Sequence, residues 1–157
     1  MSDAKTITIE RTYRASLHDV WELWTTKDGF ESWWGPQGFR ADVHEIDARQ
    51  GGVLRYDMVA DSAEMIAAMK QMGRPSSSSV NVRFAELKPK SRLVLRSVID
   101  FLPGVEPYEN DIAVEFTPIG DSVRMIVTVH AYHSEDFTKM AVQGMTSQLT
   151  KLDQRFL

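Results

Sequence analysis

The stretch SEDFTKMAVQGMTSQLTKLDQRF, from Ser134 to Phe156, decides the fold. Ser134 is a favourable N-cap, and Glu135 and Asp136 place negative charge in the first turn, where the helix dipole favours it. The apolar positions recur at helical spacing, at Phe137, Met140, Ala141, Gly144, Met145, Leu149, Leu152 and Phe156. The opposite face carries Lys139, Gln143, Gln148, Lys151 and Gln154. The pattern predicts a long amphipathic helix that covers an apolar surface.

The whole-chain composition excludes several functional classes. The 157 residues, of which 43% are hydrophobic and 25% charged, predict one globular domain over residues 1–157. A net charge of −4 disfavours nucleic acid as a partner, and no apolar run is long enough for membrane insertion. The absence of cysteine excludes thiolate metal sites. A polar N-terminus without a signal-peptide core predicts a cytoplasmic location.

The beginning of the chain predicts one strand and two helices. Alternation over Lys5–Tyr13 predicts the strand. Ser16 opens a helix whose apolar stripe is Leu17, Val20, Trp21 and Trp24. Asp28 is the predicted cap of a second, short helix, in which Phe30, Trp33 and Trp34 share a face and which Gly35-Pro36 ends.

From Phe39 onward the hydrophobic period changes to two, and six further strands are predicted. Short turns join them, so the strands form an antiparallel meander with one apolar face. The charged side chains fall on the other face, at Arg55, Asp57, Arg83, Arg96, Asp100, Glu115 and Arg124. The result is an α+β fold with the order β-α-α-β6-α, a curved antiparallel sheet of about seven strands around the C-terminal helix.

A helical insert interrupts the meander. Asp61 and Glu64 have capping-box spacing, and Gly73 ends the predicted helix over 61–73. Its methionines, Met65, Met69 and Met72, suggest an adaptable lid, a satellite helix or a dimer contact. The run Ser76–Ser79 that follows is predicted to be a flexible connector.

Several spaced motifs, densest in the first sixty residues, agree with one known family. They are Glu10-Arg11-Thr12-Tyr13, Val20-Trp21, Trp24-Thr25, Trp33-Trp34-Gly35-Pro36, Phe39 and Asp47-Ala48-Arg49-Gln50-Gly51-Gly52. The chain resembles the START-like (SRPBCC) superfamily, in its activator-of-heat-shock-protein-90-ATPase homologue branch. The resemblance implies the helix-grip fold, in which a curved sheet grips a C-terminal helix around an apolar cavity. The chain departs from the family pattern at Gly144-Met145, where relatives often carry Gly-Trp, and in the helical insert.

Some relatives of this kind bind lipids, hormones or polyketides, and a few are cyclases or hydrolases. The residues that could line such a cavity are Trp24, Trp33, Trp34, Phe39, Tyr56, Met58, Phe84, Ser97, Phe101, Phe116, Met125, Ala141, Gly144 and Met145. The alternative interpretation is that the same side chains pack as a filled core. Gly144 costs about 1 kcal/mol against alanine in a helix, which indicates a spatial reason for it. Ser97 or Tyr56 could orient a ligand.

Catalytic and metal-binding patterns are weak. His130 and His133 are three residues apart in a predicted strand and therefore point to opposite faces, so no metal site is predicted. Asp100, Glu109 and Asp111 could form an acid–base site, or a solvated rim of the sheet. The sequence assigns no catalytic residue and no cofactor.

Three functions remain open. The first is a carrier or sensor that binds a small hydrophobic molecule between the sheet and the last helix. The second is a cyclase-like or hydrolase-like enzyme, which needs an ionisable side chain in the cavity. The third is a chaperone co-factor or protein-interaction domain, which the family name suggests. A homodimer through a sheet edge or the insert is also plausible.

Overall fold

A computed structural model describes residues 6–99, 104, 106–130 and 135–156, without the side chains at positions 99 and 137. The strands of this part of the chain are β1 (Thr6–Tyr13), β2 (Phe39–Ile46), β3 (Val53–Ala60), β4 (Ser77–Lys88), β5 (Arg92–Ile99), β6 (Tyr108–Ile119) and β7 (Ser122–His130). The helices are α1 (Leu17–Thr25), α2 (Lys27–Glu31), α3 (Ala63–Gln71) and α4 (Glu135–Arg155). The predicted element order, including the helical insert, is confirmed.

All seven strands of the described residues form one antiparallel sheet in the order β1-β7-β6-β5-β4-β3-β2. Strands β2 to β7 follow one another as a meander, and β1 adds to β7. The helices α1 and α2 connect the two edge strands, β1 and β2. Because α4 packs on the apolar face of this curved sheet, the predicted helix-grip fold is confirmed.

Helix α4 packs on the sheet mainly through its C-terminal half. Met145, Leu149 and Leu152 are buried there, whereas Met140, on the predicted apolar stripe, is 64% exposed. The stripe is therefore wrong at Met140, because at about 100° per residue Met140 lies on the face of the helix opposite buried Leu149. The predicted cap Ser134 lies outside the described residues.

The predicted polar face of α4 is wrong at Gln148. This side chain is only 4% exposed. It lies three residues after Met145 and four before Leu152, so helical geometry places all three on one face. Lys151 of the same predicted face is partly buried, and its Nζ donates to the Phe39 carbonyl oxygen at 3.0 Å. Burial lowers the Lys151 pKa.

Two helix caps differ from the prediction. The hydroxyl of Thr26, not the carboxylate of Asp28, caps α2 by accepting from the Gly29 amide at 3.0 Å. At α3 the Ser62 hydroxyl accepts from the Met65 amide at 3.1 Å, in place of Asp61. In both helices a hydroxyl takes the capping position, since the helix begins one or two residues away from where the acidic pattern suggested.

The predicted flexible connector at Ser76–Ser79 is also wrong. Strand β4 already begins at Ser77, and Ser77, Ser78 and Ser79 pair with Val59, Met58 and Asp57 of β3. The unpaired backbone groups of β3 provide partners that a serine run lacks when it is considered alone. Strands β3 and β4 therefore form a long hairpin whose connection carries α3.

The C-terminal end of α4 is attached to β1 through Tyr13. Its hydroxyl donates to the Asp153 carboxylate at 2.7 Å, and its ring contacts Phe156 at a centroid distance of 4.9 Å. Arg11 donates to the same carboxylate at 3.2 Å. Burial, and then the hydrogen bond to Asp153, raises the pKa of Tyr13.

We expect Tyr13→Phe to lower the free energy of unfolding by about 1.5 kcal/mol at pH 7, because a hydrogen bond to a charged group is lost. The raised pKa means that the folded protein keeps a proton that the unfolded chain releases above about pH 10. The contribution is thus fully present below that pH and declines as the pH rises further. Urea unfolding at pH 7 and pH 10.5 should show a smaller gap between wild type and variant at the higher pH. A constant gap would contradict this linkage.

Candidate functional site

A cleft of about 160 Å³, open to solvent, lies between α4 and the sheet. Its lining is Trp34, Pro36, Ile112, Val129, Ala141, Gly144, Met145 and Gln148. The sheet contributes Ile112 of β6 and Val129 of β7, which are paired in register. The helix contributes the other wall, with a gap at Gly144, where an added Cβ would meet no described atom within 4 Å. The glycine thus leaves room for an occupant.

Gln148 joins α4 to the turn that ends the aromatic segment. Its Oε1 accepts a hydrogen bond from the Gly35 amide at 2.9 Å, and its Nε2 donates to the Met145 sulfur at 3.3 Å. Gly35 has a φ of +111°, which side-chain-bearing residues rarely adopt. The thioether is a weak acceptor. The Gln148 carboxamide is therefore a buried polar group that borders an otherwise apolar cleft.

Trp34 is held in place from two sides. Its Nε1 donates to the Tyr56 hydroxyl at 2.9 Å, and its ring stacks on Phe30 at a centroid distance of 4.7 Å. Trp24 contacts it edge to face at 5.7 Å. Because these partners come from α1, α2 and β3, Trp34 forms a rigid wall of the cleft rather than a movable gate.

Four of the side chains predicted to line a cavity border the cleft, namely Trp34, Ala141, Gly144 and Met145. Six others lie in the buried core behind it, namely Trp24, Trp33, Tyr56, Phe84, Phe116 and Met125. Phe39, Met58 and Ser97 are partly buried and are not among the described residues that border the cleft. Phe101 lies outside the described residues. As ligand contacts, all of these residues stay predictions.

Sequence reasoning missed Gln148, Pro36, Ile112 and Val129 as cleft residues. Ile112 and Val129 were assigned only to the apolar face of the sheet. Gln148 was assigned to the wrong face of α4, although its spacing from Met145 and Leu152 was a usable signal. The sequence contained no comparable signal for Pro36.

The methionines of α3 lie away from the cleft. Met65 is partly buried and contacts Gly38, where an added Cβ would lie 3.1 Å from the Met65 Cε. Met72 is 59% exposed and Met69 is partly buried. Among the described residues, none of α3 borders the cleft. The lid interpretation stays a prediction.

Two of the three acid–base candidates, Glu109 and Asp111, lie on the other face of the sheet from the cleft. Asp111 precedes the cleft residue Ile112, so their side chains point to opposite faces. Both Asp111 oxygens accept from Arg96, at 2.8 and 2.9 Å, and this hydrogen bonding lowers the Asp111 pKa. Glu109 is exposed, and Asp100 lies outside the described residues.

Of the two histidines of the sequence pattern, the described one, His130, is not part of a metal-binding group of side chains. His130 bonds through Nδ1 to the Asp111 carbonyl oxygen at 2.8 Å, and His133 lies outside the described residues. In the part of the chain that the structure describes, no three histidine, cysteine or acidic side chains are arranged to hold a metal. The same part contains no helix that is both long and apolar enough to cross a bilayer.

Solved structures share this architecture. Protein CV1439 from Chromobacterium violaceum superposes with a TM-score of 0.75 at 20% identity, covering 96% of both chains. The AHSA1 protein from Silicibacter pomeroyi gives 0.74 at 17% identity, again covering 96% of both chains. A protein from Arthrobacter aurescens gives 0.71 at 19% identity, over 92% of this chain and 81% of that one. At these identities the likeness concerns the fold alone.

A search of curated proteins returned no significant match. The sequence profile of one family, described as Activator of Hsp90 ATPase homolog 1-like protein, matches residues 14–156. The match includes the Trp33-Trp34-Gly35-Pro36 segment, both walls of the cleft and all of α4. The chain therefore belongs to the Activator of Hsp90 ATPase homolog 1-like protein family.

Proposed function

We propose that this protein binds a small hydrophobic molecule in the cleft between α4 and the sheet, and acts as a carrier or sensor of that molecule. The observation that carries the proposal is the space beside Gly144, opposite Ile112 and Val129. A pocket with mostly apolar walls and few polar groups is typical of small-molecule binding. Gln148 is the polar group in the lining of this one.

The volume limits the ligand. An apolar cavity of about 150 Å³ is large enough for benzene, so about 160 Å³ admits a molecule built on one ring. The cleft is open, which lets a substituent extend beyond it. Larger ligands require α4 to move away at Gly144.

The alternatives have less support. A cyclase-like or hydrolase-like reaction needs a proton donor or acceptor, and none of the described residues that border the cleft has an ionisable side chain. The family description suggests a chaperone co-factor, but a family name does not establish a function. Binding of a hydrophobic ligand is the function that the geometry supports best.

The first experiment is native mass spectrometry of the freshly purified protein, followed by a denaturing spectrum. We expect an additional mass of a few hundred daltons at most that disappears on denaturation, and the same spectrum reports the oligomeric state. Protein without a ligand is then titrated with α-methylstyrene, a one-ring hydrocarbon, and followed by amide chemical shifts. Shifts centred on the cleft residues support the proposal. The proposal would be contradicted if no ligand copurified with the protein and the probe caused no chemical-shift change.

We expect Gly144→Leu to abolish α-methylstyrene binding, because the leucine side chain fills the space beside the helix. Gly144→Ala is the matched control, since an added Cβ meets no described atom within 4 Å. The alanine variant should bind within about threefold of wild type and be about 1 kcal/mol more stable, because glycine is unfavourable in a helix. Equal affinity of Gly144→Leu and wild type would place the ligand elsewhere.

A further inference from the structure

Asn110 is a buried polar side chain on the inner face of the sheet that lacks a hydrogen-bond partner in the described part of the chain. It is only 7% exposed, yet neither its Oδ1 nor its Nδ2 has a hydrogen-bond partner among the described residues. Exchanging the positions of oxygen and nitrogen would change nothing, because both atoms are unpaired. Buried amides are nearly always hydrogen-bonded, since leaving one unpaired costs folding free energy. An unpaired amide therefore requires an explanation.

The position of Asn110 connects it to the cleft. It lies on β6 two residues before Ile112, which borders the cleft, so both side chains point to the same face of the sheet, about 7 Å apart along the strand. Its cross-strand neighbour is Ser97 of β5, whose hydroxyl makes no hydrogen bond within the described part of the chain. Both polar side chains thus lie on the inner face of the sheet, next to the cleft residue Ile112 along β6 but outside the cleft lining.

We propose that Asn110 recognises a neutral group of the ligand that both accepts and donates a hydrogen bond, such as a carboxamide. This inference rests on the proposed function and narrows the ligand class to a small hydrophobic molecule with such a group at one end. The apolar part lies beside Gly144, and the polar end is directed along β6. The Asn110 Nδ2 donates to the ligand carbonyl, and the Asn110 Oδ1 accepts from the ligand N–H.

The charge of the surroundings favours a neutral ligand. None of the described residues that border the cleft is charged, so a carboxylate there would be buried without a counter-charge. The unpaired donor and the unpaired acceptor of Asn110 match a neutral carboxamide in full. A ketone satisfies one of them, and a hydrocarbon satisfies neither.

Three probes of one shape test this order of preference, from carboxamide through ketone to hydrocarbon. All three have a phenyl ring with a planar branched substituent. α-Methylstyrene has no hydrogen-bonding group, acetophenone has an acceptor only, and benzamide has both an acceptor and a donor. Each is titrated into wild type and into Asn110→Leu. We expect Asn110→Leu to bind benzamide about 10- to 100-fold more weakly than wild type does. Its affinity for acetophenone should fall by less, and its affinity for α-methylstyrene should stay within about threefold of the wild-type value.

Stability gives a second, independent readout. Because Asn110→Leu removes an unpaired buried amide, we expect its melting temperature to rise by about 2–4 °C in the absence of ligand. Asn110→Val, a smaller residue favoured in strands, repeats the test in case leucine fits poorly. A variant that is more stable but has lost its preference for the carboxamide is the expected result.

The possible failures are distinguishable. If none of the three probes binds wild type, the proposed function itself is contradicted. A second outcome is that all three probes bind, with the same ratio of benzamide to α-methylstyrene affinity in wild type and both variants. Asn110 then does not hydrogen-bond the ligand, and the inference is overturned. A lower melting temperature with an unchanged ratio also overturns it, since the amide then serves the fold through bound water.

Discussion

Replacing Trp33 by alanine is expected to lower the free energy of unfolding by about 4–5 kcal/mol, the upper part of the range for a large buried aromatic residue. Trp33 is 1% exposed and contacts Trp24 and Trp34 edge to face, at centroid distances of 4.8 and 5.2 Å. Its Nε1 also donates to the carbonyl oxygen of Leu23 at 2.7 Å. The variant thus leaves a cavity and an unpaired buried carbonyl in the same place.

This loss is comparable to the whole stability of a marginal domain, about 5–15 kcal/mol. Urea unfolding followed by circular dichroism measures it, provided that the variant remains folded without denaturant. Trp33→Phe is the matched control, because it keeps most of the ring contacts and removes the N–H donor; we expect about 1–2 kcal/mol. A loss below about 1.5 kcal/mol in the alanine variant would show that Trp33 is not part of a close-packed core.

Leu149→Ala should cost about 2–5 kcal/mol, whereas Met140→Ala should change stability by less than about 0.5 kcal/mol. Both residues belong to the apolar stripe that the sequence of α4 predicts. In the structure Leu149 is fully buried against the sheet, and Met140 is 64% exposed. The pair therefore measures which face of the helix packs on the sheet.

The measurement is urea unfolding of both variants under one set of conditions, so that the difference between them does not depend on the extrapolation to water. Alanine favours the helix about as well as leucine and methionine do, so helix propensity contributes little to either value. Similar losses for the two variants would mean that Met140 is buried as well, and that both faces of the helix are covered.

The grip of the C-terminal half explains where the cleft lies. From Met145 to Leu152 the helix is held by buried side chains, and Tyr13 and Arg11 bind Asp153 near its end. On the N-terminal side of Met145, partly buried Ala141 and Gly144 face the cleft rather than the core. The proposed ligand occupies the space beside Gly144, on this side of the helix.

The chain alone determined the order of the elements and the inward face of the strands. In β7 each second residue from Val123 to Val129 is apolar, and all four of these positions are buried. The segment around Ser16 likewise predicted its helix, since the Ser16 hydroxyl caps it through the Asp19 amide. These features depend on neighbours a few residues apart, where the periods of helix and strand apply.

Only the tertiary structure determined the position of the cleft, the hydrogen bonds of Gln148 and the lack of described hydrogen-bond partners at Asn110. The Gln148 side chain bonds to Gly35, 113 positions away, and Asp153 bonds to Tyr13, 140 positions away. No local pattern specifies such pairs, because they depend on how α4 lies across a completed sheet. The secondary structure of Ser77 also depends on a distant partner, because Ser77 becomes part of a strand by pairing with the edge of β3. The periodicity of side chains is a local property, whereas the space between elements belongs to the assembled fold.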